Sequence, residues 1–234
     1  MCSSRFSRYT LRTTDVEAAA TFYDAVLGRR GDAIVPLPES ASARGAPPHW
    51  LGHIGVRERA GAEAQAARFV ELGALRLGPP APASETVILR DPGGAVVAVT
   101  DHSAASGAGV VWHQLNTRDA GQAAASYSAL FGWALTEALD LGELGRHQSF
   151  AFAAGQASVG VFSDVAGRPG VHTHWLFFFA VPALDVALER VRALGGVALA
   201  PRELPNGSRV AVCDDPQGAA FGILEPQPLT TGAR

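Results

Sequence analysis

The chain has 234 residues, 47% of them apolar and 18% charged, enough to bury a full core in one large or two small domains and too apolar for intrinsic disorder. Its 19 positive side chains are all arginine, set against 22 acidic ones for a net charge of −3, so nothing in the balance calls for nucleic acid or an anionic membrane as partner. Two cysteines, Cys2 and Cys213, cannot make a disulfide framework. No secretory signal is visible in the first twelve residues, and the longest apolar run, Trp175 to Leu184, has about half the length a bilayer demands. The expectation is a soluble, cytoplasmic protein.

In chain order, Asp15 predicts the N-cap of a helix whose apolar positions Val16, Ala19, Ala20, Tyr23 and Leu27 recur at helical spacing and which closes at Gly28. The Gly- and Pro-rich stretch 28–48 holds one short strand at 33–37. A strand beginning His49-Trp50 follows, then a helix over 61–72 closed by Gly73. Asp91-Pro92-Gly93-Gly94 reads as a tight turn between two strands. After a small-residue linker at 103–109 the same order returns. There is a strand through Trp112 to Thr117, and a helix capped by Asp119 and closed by Gly132. A hairpin-like pair of apolar runs follows within 146–164, then a His174-Trp175 strand, a helix over 183–194, and the turn Asp215-Pro216-Gln217-Gly218.

The chain therefore contains itself twice. TTDVEAAATFYDAVLG (13–28) matches TRDAGQAAASYSALFG (117–132) at an offset of 104, pairing Asp15 with Asp119 and Tyr23 with Tyr127. HWLGHIGV (49–56) matches HWLFFFAV (174–181), and RDPGGAVVAV (90–99) matches DDPQGAAFGI (214–223) at an offset of 124. Some twenty additional residues in the second half account for the change of offset. The halves are read as domains at 1–102 and 110–228, joined by the linker 103–109 and followed by a tail at 229–234. The first is reduced by one or two strands and the second complete.

These motifs resemble the vicinal oxygen chelate superfamily of glyoxalases, extradiol dioxygenases and bleomycin-resistance proteins, and within it a subgroup of tandem glyoxalase-like proteins often labelled hydroxylases. The resemblance spans nearly the whole chain. It implies an α+β fold of paired βαβββ modules whose curved mixed sheets wrap a cavity. In metal-dependent members it implies a divalent ion held from three kinds of position, which fall here on Arg8 and Trp112, Leu51 and Leu176, and Ala98 and Gly222. None carries a side chain able to ligate a hard cation in that role. The expectation is therefore no cofactor, with a divalent metal at His147, His172 and His174 as the alternative.

What remains is a pocket. Alternation along the first strand of the second half points Trp112, Gln114 and Asn116 one way, and on the His174-Trp175 strand the resemblance implies that His174, Leu176 and Phe178, which have the parity of the family's inward positions, face the same cavity, with Gly222 leaving volume for a ligand. Arg209 is a candidate carboxylate or phosphate anchor, with a surface ion pair as its plainer reading. His113 is out of phase and reads as packed or solvated, and Cys213 as a core thiol. In the first half Arg8, Thr10 and Arg12 stand where Trp112, Gln114 and Asn116 stand in the second, which points to a closed or anion-binding counterpart.

No catalytic constellation is legible. The reading is a metal-independent binding protein that sequesters or senses a small, partly aromatic metabolite or drug. The alternative is an enzyme of the same superfamily, a lyase, isomerase, dioxygenase or hydroxylase, with a displaced metal site or acid–base chemistry. The partner is a small molecule, and the assembly a monomer with pseudo-twofold halves or a homodimer.

Overall fold

The computed structural model describes residues 4–28, 34–56, 61–78, 85–102, 109–140, 142, 145–204 and 206–227. Cys2, the linker at 103–108 and the tail at 229–234 lie outside the described residues. The elements of the first half are β1 (Arg5–Thr13), α1 (Val16–Leu27), β2 (Ile34–Pro36), α2 (Glu39–Ser42), β3 (His49–Gly55), α3 (Gly61–Glu71), β4 (Leu75–Arg76), β5 (Thr86–Arg90) and β6 (Val96–Thr100). The second half forms β7 (Val110–Asn116), α4 (Ala120–Phe131), β8 (Ala134–Asp140), β9 (Arg146–Ala151), β10 (Gly160–Ser163), β11 (His174–Ala180), α5 (Leu184–Ala193), β12 (Val197–Ala198), β13 (Arg202–Glu203), β14 (Arg209–Asp214) and β15 (Ala220–Glu225). Among the described residues no helix is long and apolar enough to cross a membrane.

The two aspartates begin their helices as their sequence positions require. Asp15 accepts from the Ala18 amide at 2.9 Å and Asp119 from the Gln122 amide at 2.8 Å, each satisfying a donor that the first turn leaves open. Both helices end on glycine in the left-handed region, at φ 65° for Gly28 and 70° for Gly132, where a side chain would be strained. After α3, α4 and α5 the chain meanders back, and the last strand of each module lies parallel to its first: β6 to β3, β10 to β7, and β15 to β11.

The strands make two mixed sheets, in the orders β2-β1-β3-β6-β5-β4 and β12-β14-β15-β11-β7-β10-β9-β8, with β13 on β14. The paired βαβββ layout is present, but the expected curvature is not, because neither sheet is strongly curled or closed. Both are open: the six-stranded sheet ends on β2 and β4, the nine-stranded sheet on β8 at one side and on β12 and β13, both paired with β14, at the other. Side-chain alternation tells which face a residue occupies and carries no information on how far a sheet coils, which depends on twist and bulges.

The chain divides into two compact units. One comprises Met1–Thr10, Leu51–Ala108 and Trp112–Leu176, the other Leu11–Trp50, Gly109–Val111 and Phe177–Arg234. The first packs Phe69, Phe131, Trp133, Phe162 and Trp175 around Tyr127, and the second packs Phe22, Trp50 and Phe221 around Tyr23. Each unit holds the same relay. In the first, the Trp175 indole donates to the Tyr127 hydroxyl at 3.1 Å, and Tyr127 donates to Asp91 Oδ2 at 3.1 Å. In the second, Trp50 donates to Tyr23 at 3.0 Å and Tyr23 to Asp215 Oδ2 at 3.1 Å. The other carboxylate oxygen in each case accepts turn amides, from Ala95 at 2.8 Å and from Gln217 and Ala219 at 2.9 Å. Burial, and then the nearby carboxylate, hold both phenols well above their ordinary pKa.

His113 packs in the first unit. Its Nδ1–H donates to the Val159 carbonyl at 2.8 Å, the Tyr9 hydroxyl donates to Nε2 at 2.6 Å, and the Phe6 ring stacks on it at 4.9 Å. Burial lowers its pKa from 6.5 to about 4.

Two tests follow from this packing. Tyr127→Phe removes the hydroxyl that bonds both the Trp175 indole and Asp91 Oδ2, and is expected to cost about 1–3 kcal/mol in urea unfolding at neutral pH, as is Tyr23→Phe through Trp50 and Asp215. For His113 the unfolded chain binds more protons between pH 6.5 and about 4, so folding stability falls as pH is lowered through that window. The full effect is about 3 kcal/mol from a shift of this size. Asp91 and Asp215, raised by burial, act with the opposite sign. His113→Gln isolates the term: its stability should fall less steeply than the parent's between pH 7 and 4.5.

Candidate functional site

On β7 the buried positions His113 and Leu115 face the packed interior, and Trp112, Gln114 and Asn116 share the other face. The register carries that face sideways, because Asn116 lies opposite Ser163 on β10 and Ser163 opposite His147 on β9. Three hydrogen bonds tie it together. Gln114 Nε2 donates to Asn116 Oδ1 at 2.8 Å, Asn116 Nδ2 reaches His174 Nε2 at 3.5 Å, and Ser163 Oγ meets His147 Nε2 at 3.0 Å. His174 Nδ1 lies 2.8 Å from the His172 carbonyl, which accepts only, so the proton of the neutral ring is on Nδ1 and Nε2 presents a lone pair toward Asn116. Gln114 fixes the orientation of Asn116 by claiming its oxygen. Ser163 is a member of this face that its sequence does not announce; the β7–β10 and β9–β10 registers identify it.

The other candidates lie elsewhere. Leu176 is fully buried, and His172 is exposed, contributing its carbonyl to His174. In the second compact unit Phe178 lies over Gly222: a Cβ built at Gly222 would come within 2.2 Å of the Phe178 ring, so the volume read as free is filled by that ring. Arg209 lies opposite Glu225 on β15, out of phase with Gly222, and its two Nη atoms donate to Asp185 at 2.9 and 2.7 Å and to Glu225 at 3.4 Å. The guanidinium is committed to an exposed ion pair. Cys213 is buried and its thiol is pushed up to about 12, which makes it inert at neutral pH. A cleft of ≈ 340 Å³ opens in the first unit beside Pro92, Gly93, Thr117, Arg118, Asp119, Gln122 and Thr173, at the opening turn of α4.

The family model for the glyoxalase/bleomycin resistance protein/dioxygenase superfamily matches residues 109–223. CFP32 of Mycobacterium tuberculosis, described as a glyoxylase, is 31% identical over 252 residues, covering 93% of each chain. The chain belongs to the glyoxalase/bleomycin resistance/dioxygenase superfamily. Among solved structures of this superfamily fold, the 2,3-dioxygenase LapB from Pseudomonas sp. KL28 superposes with a TM-score of 0.64 at 13% identity, covering 100% of this chain and 97% of its own. The Mn(II)-bound glyoxalase from Novosphingobium aromaticivorans gives 0.60 at 12% identity, covering 97% and 83%.

These neighbours correct two expectations. The preference for a non-catalytic sequestering module is overturned, since the structures that share the fold are dioxygenases and a glyoxalase. The expectation of no cofactor is likewise corrected, since a structure that shares the fold, the Novosphingobium aromaticivorans glyoxalase, carries Mn(II). The reason is physical: emptying six positions speaks only to the one coordination geometry those positions build.

The residues at those six positions do not themselves fit a divalent ion. Leu51, Leu176 and Ala98 are buried apolar groups, Arg8 is cationic, Trp112 offers no lone pair, and Gly222 lies beneath Phe178. Among the described residues no three His, Cys, Asp or Glu side chains converge. His147 stands two strands away from Asn116, the residue that contacts His174. His174 stands on β11, one strand further still in the order β11-β7-β10-β9, and three spacings of about 4.8 Å are too wide for the two imidazoles to close on one ion without rearrangement.

The Phe178–Gly222 stack gives a direct test. Gly222→Ala should destabilise by about 1–3 kcal/mol, because the ring has to leave its rotamer. Combined with Phe178→Ala, the added methyl should cost nothing further when both variants are unfolded in urea.

Proposed function

We propose that the chain is an enzyme of its superfamily acting on a small, planar, oxygenated molecule, with His174 as the proton-transfer group and residues 110–228 as the half that carries the reaction. The observation behind this reading is the hydrogen bond from His174 Nδ1 to the His172 carbonyl, which fixes the tautomer and aims an imidazole lone pair along the face that holds Asn116 and Gln114.

A base needs a lone pair on a group whose conjugate acid is tolerated. His174 has both, because the carbonyl that orients Nδ1–H becomes a stronger partner when the ring turns cationic. The Asn116 contact at 3.5 Å is long, and an incoming O–H replaces it at little cost. The released Asn116 amide then donates to a substrate oxygen, still oriented by Gln114. Half-buried Trp112, on the same strand face, offers a flat apolar surface against which a planar substrate lies. The reaction class is proton abstraction from a hydroxyl or from carbon next to a carbonyl.

The names of the fold neighbours, a catechol 2,3-dioxygenase and an Mn(II)-bound glyoxalase, suggest the first probe, catechol, supplied with and without Mn²⁺. His174→Gln is expected to lower kcat by about 100-fold or more, with KM changed only a few-fold. Gln114→Ala should act more weakly, through Asn116. A His174→Gln protein that turns over like the parent overturns the assignment.

A further inference from the structure

β1 and β3 are neighbours in the six-stranded sheet, and within one compact unit they contribute Arg12 and His49. By the internal repeat these are the counterparts of Asn116 and His174, at offsets of 104 and 125, and the second-half pair is in contact at 3.5 Å. The first half has exchanged the neutral amide for a guanidinium. His49 is oriented as His174 is: Nδ1 lies 2.7 Å from the Pro47 carbonyl, so the neutral ring carries its proton there and a lone pair on Nε2. That Nε2 is buried and, among the described residues, accepts no hydrogen bond. The buried Nε–H of Arg12 likewise donates to nothing. A buried donor and a buried acceptor both left unmade is a costly arrangement that a folded protein rarely keeps unless something else completes it.

The chemistry of the pair selects the occupant. Among the described residues Arg12 forms no ion pair, and burial lowers its pKa without a compensating carboxylate. His49 is lowered too, by burial first, against the opposing pull of the Pro47 carbonyl, and then by the Arg12 charge, which also makes a metal cation the wrong guest. A plain carboxylate would satisfy Arg12 and press a negative oxygen on the His49 lone pair. A neutral alcohol would satisfy His49 and leave the guanidinium unpaired. A 2-hydroxy carboxylate answers both groups, its carboxylate oxygen accepting from Arg12 Nε–H and its hydroxyl donating to His49 Nε2. Val35, opposite Arg12 in the β1–β2 register and half-buried, gives its carbon skeleton an apolar neighbour.

We propose that Arg12 and His49 form a binding site for a small 2-hydroxy carboxylate in the first half of the chain, independent of the reaction assigned to His174.

Isothermal titration of the full chain with lactate, propionate and sulfate tests it. Lactate is expected to bind about tenfold or more tightly than propionate or sulfate, since only it completes both groups. Arg12→Lys keeps the charge and loses the Nε–H, and His49→Phe keeps the ring shape and loses the acceptor. Each should bring lactate down to the propionate level, with thermal unfolding of the ligand-free variants confirming that they are folded. Equal binding of lactate and propionate, lactate binding unchanged in both variants, or no lactate binding at millimolar concentration would each overturn the proposal.

Discussion

The relay from tryptophan to tyrosine to aspartate to turn amide is the constraint on which the rest of the structure stands. Each link is a hydrogen bond of about 3 Å between groups that burial would otherwise penalise. Its three side chains come from a strand, a helix and a reverse turn, so one connected set of bonds fixes the three kinds of element against each other. Around each phenol the neighbouring rings pack edge to face or tilted, with Trp133 stacked on Tyr127, which adds apolar burial to the polar skeleton.

The relay also explains why three separate sequence motifs recur together. The Tyr of the first helix, the Trp that follows His in the next strand and the Asp of the turn look like independent signatures in the sequence. In the folded chain they are the members of one object, and losing any one removes a hydrogen-bond partner from the members next to it. Duplication then preserved the object twice, in two units that each combine segments from both halves of the sequence.

Local structure was legible where a residue acts on its own backbone. Asp15 and Asp119 cap, Gly28 and Gly132 terminate, and the 146–164 segment pairs as β9 and β10, all for reasons that lie within a few residues of each position. Strand parity separated Trp112, Gln114 and Asn116 from His113 for the same reason. Sheet curvature was not legible, because coiling is a property of many strands together. Nor was the filling of the space at Gly222, because an absent side chain reads as room until a neighbour, here Phe178, is found leaning over it. The tautomers of His174 and His49 depend on carbonyls two residues away, at His172 and Pro47, and no residue identity announces a carbonyl's direction. Arg209 failed as an anchor through a register that puts it opposite Glu225 and within reach of Asp185.

The Tyr23–Asp215 bond joins residues 192 positions apart, while Tyr127–Asp91 spans 36. During synthesis on the ribosome the two units therefore mature on different schedules. The unit built on Tyr127 has both partners of that bond once the chain has grown modestly past its midpoint. Helix α1, made among the first segments, has to hold its apolar face without its carboxylate until almost the whole polypeptide has emerged. Between the synthesis of Leu176 and that of Asp215 the nascent chain carries one unit whose residues are all present and one that waits.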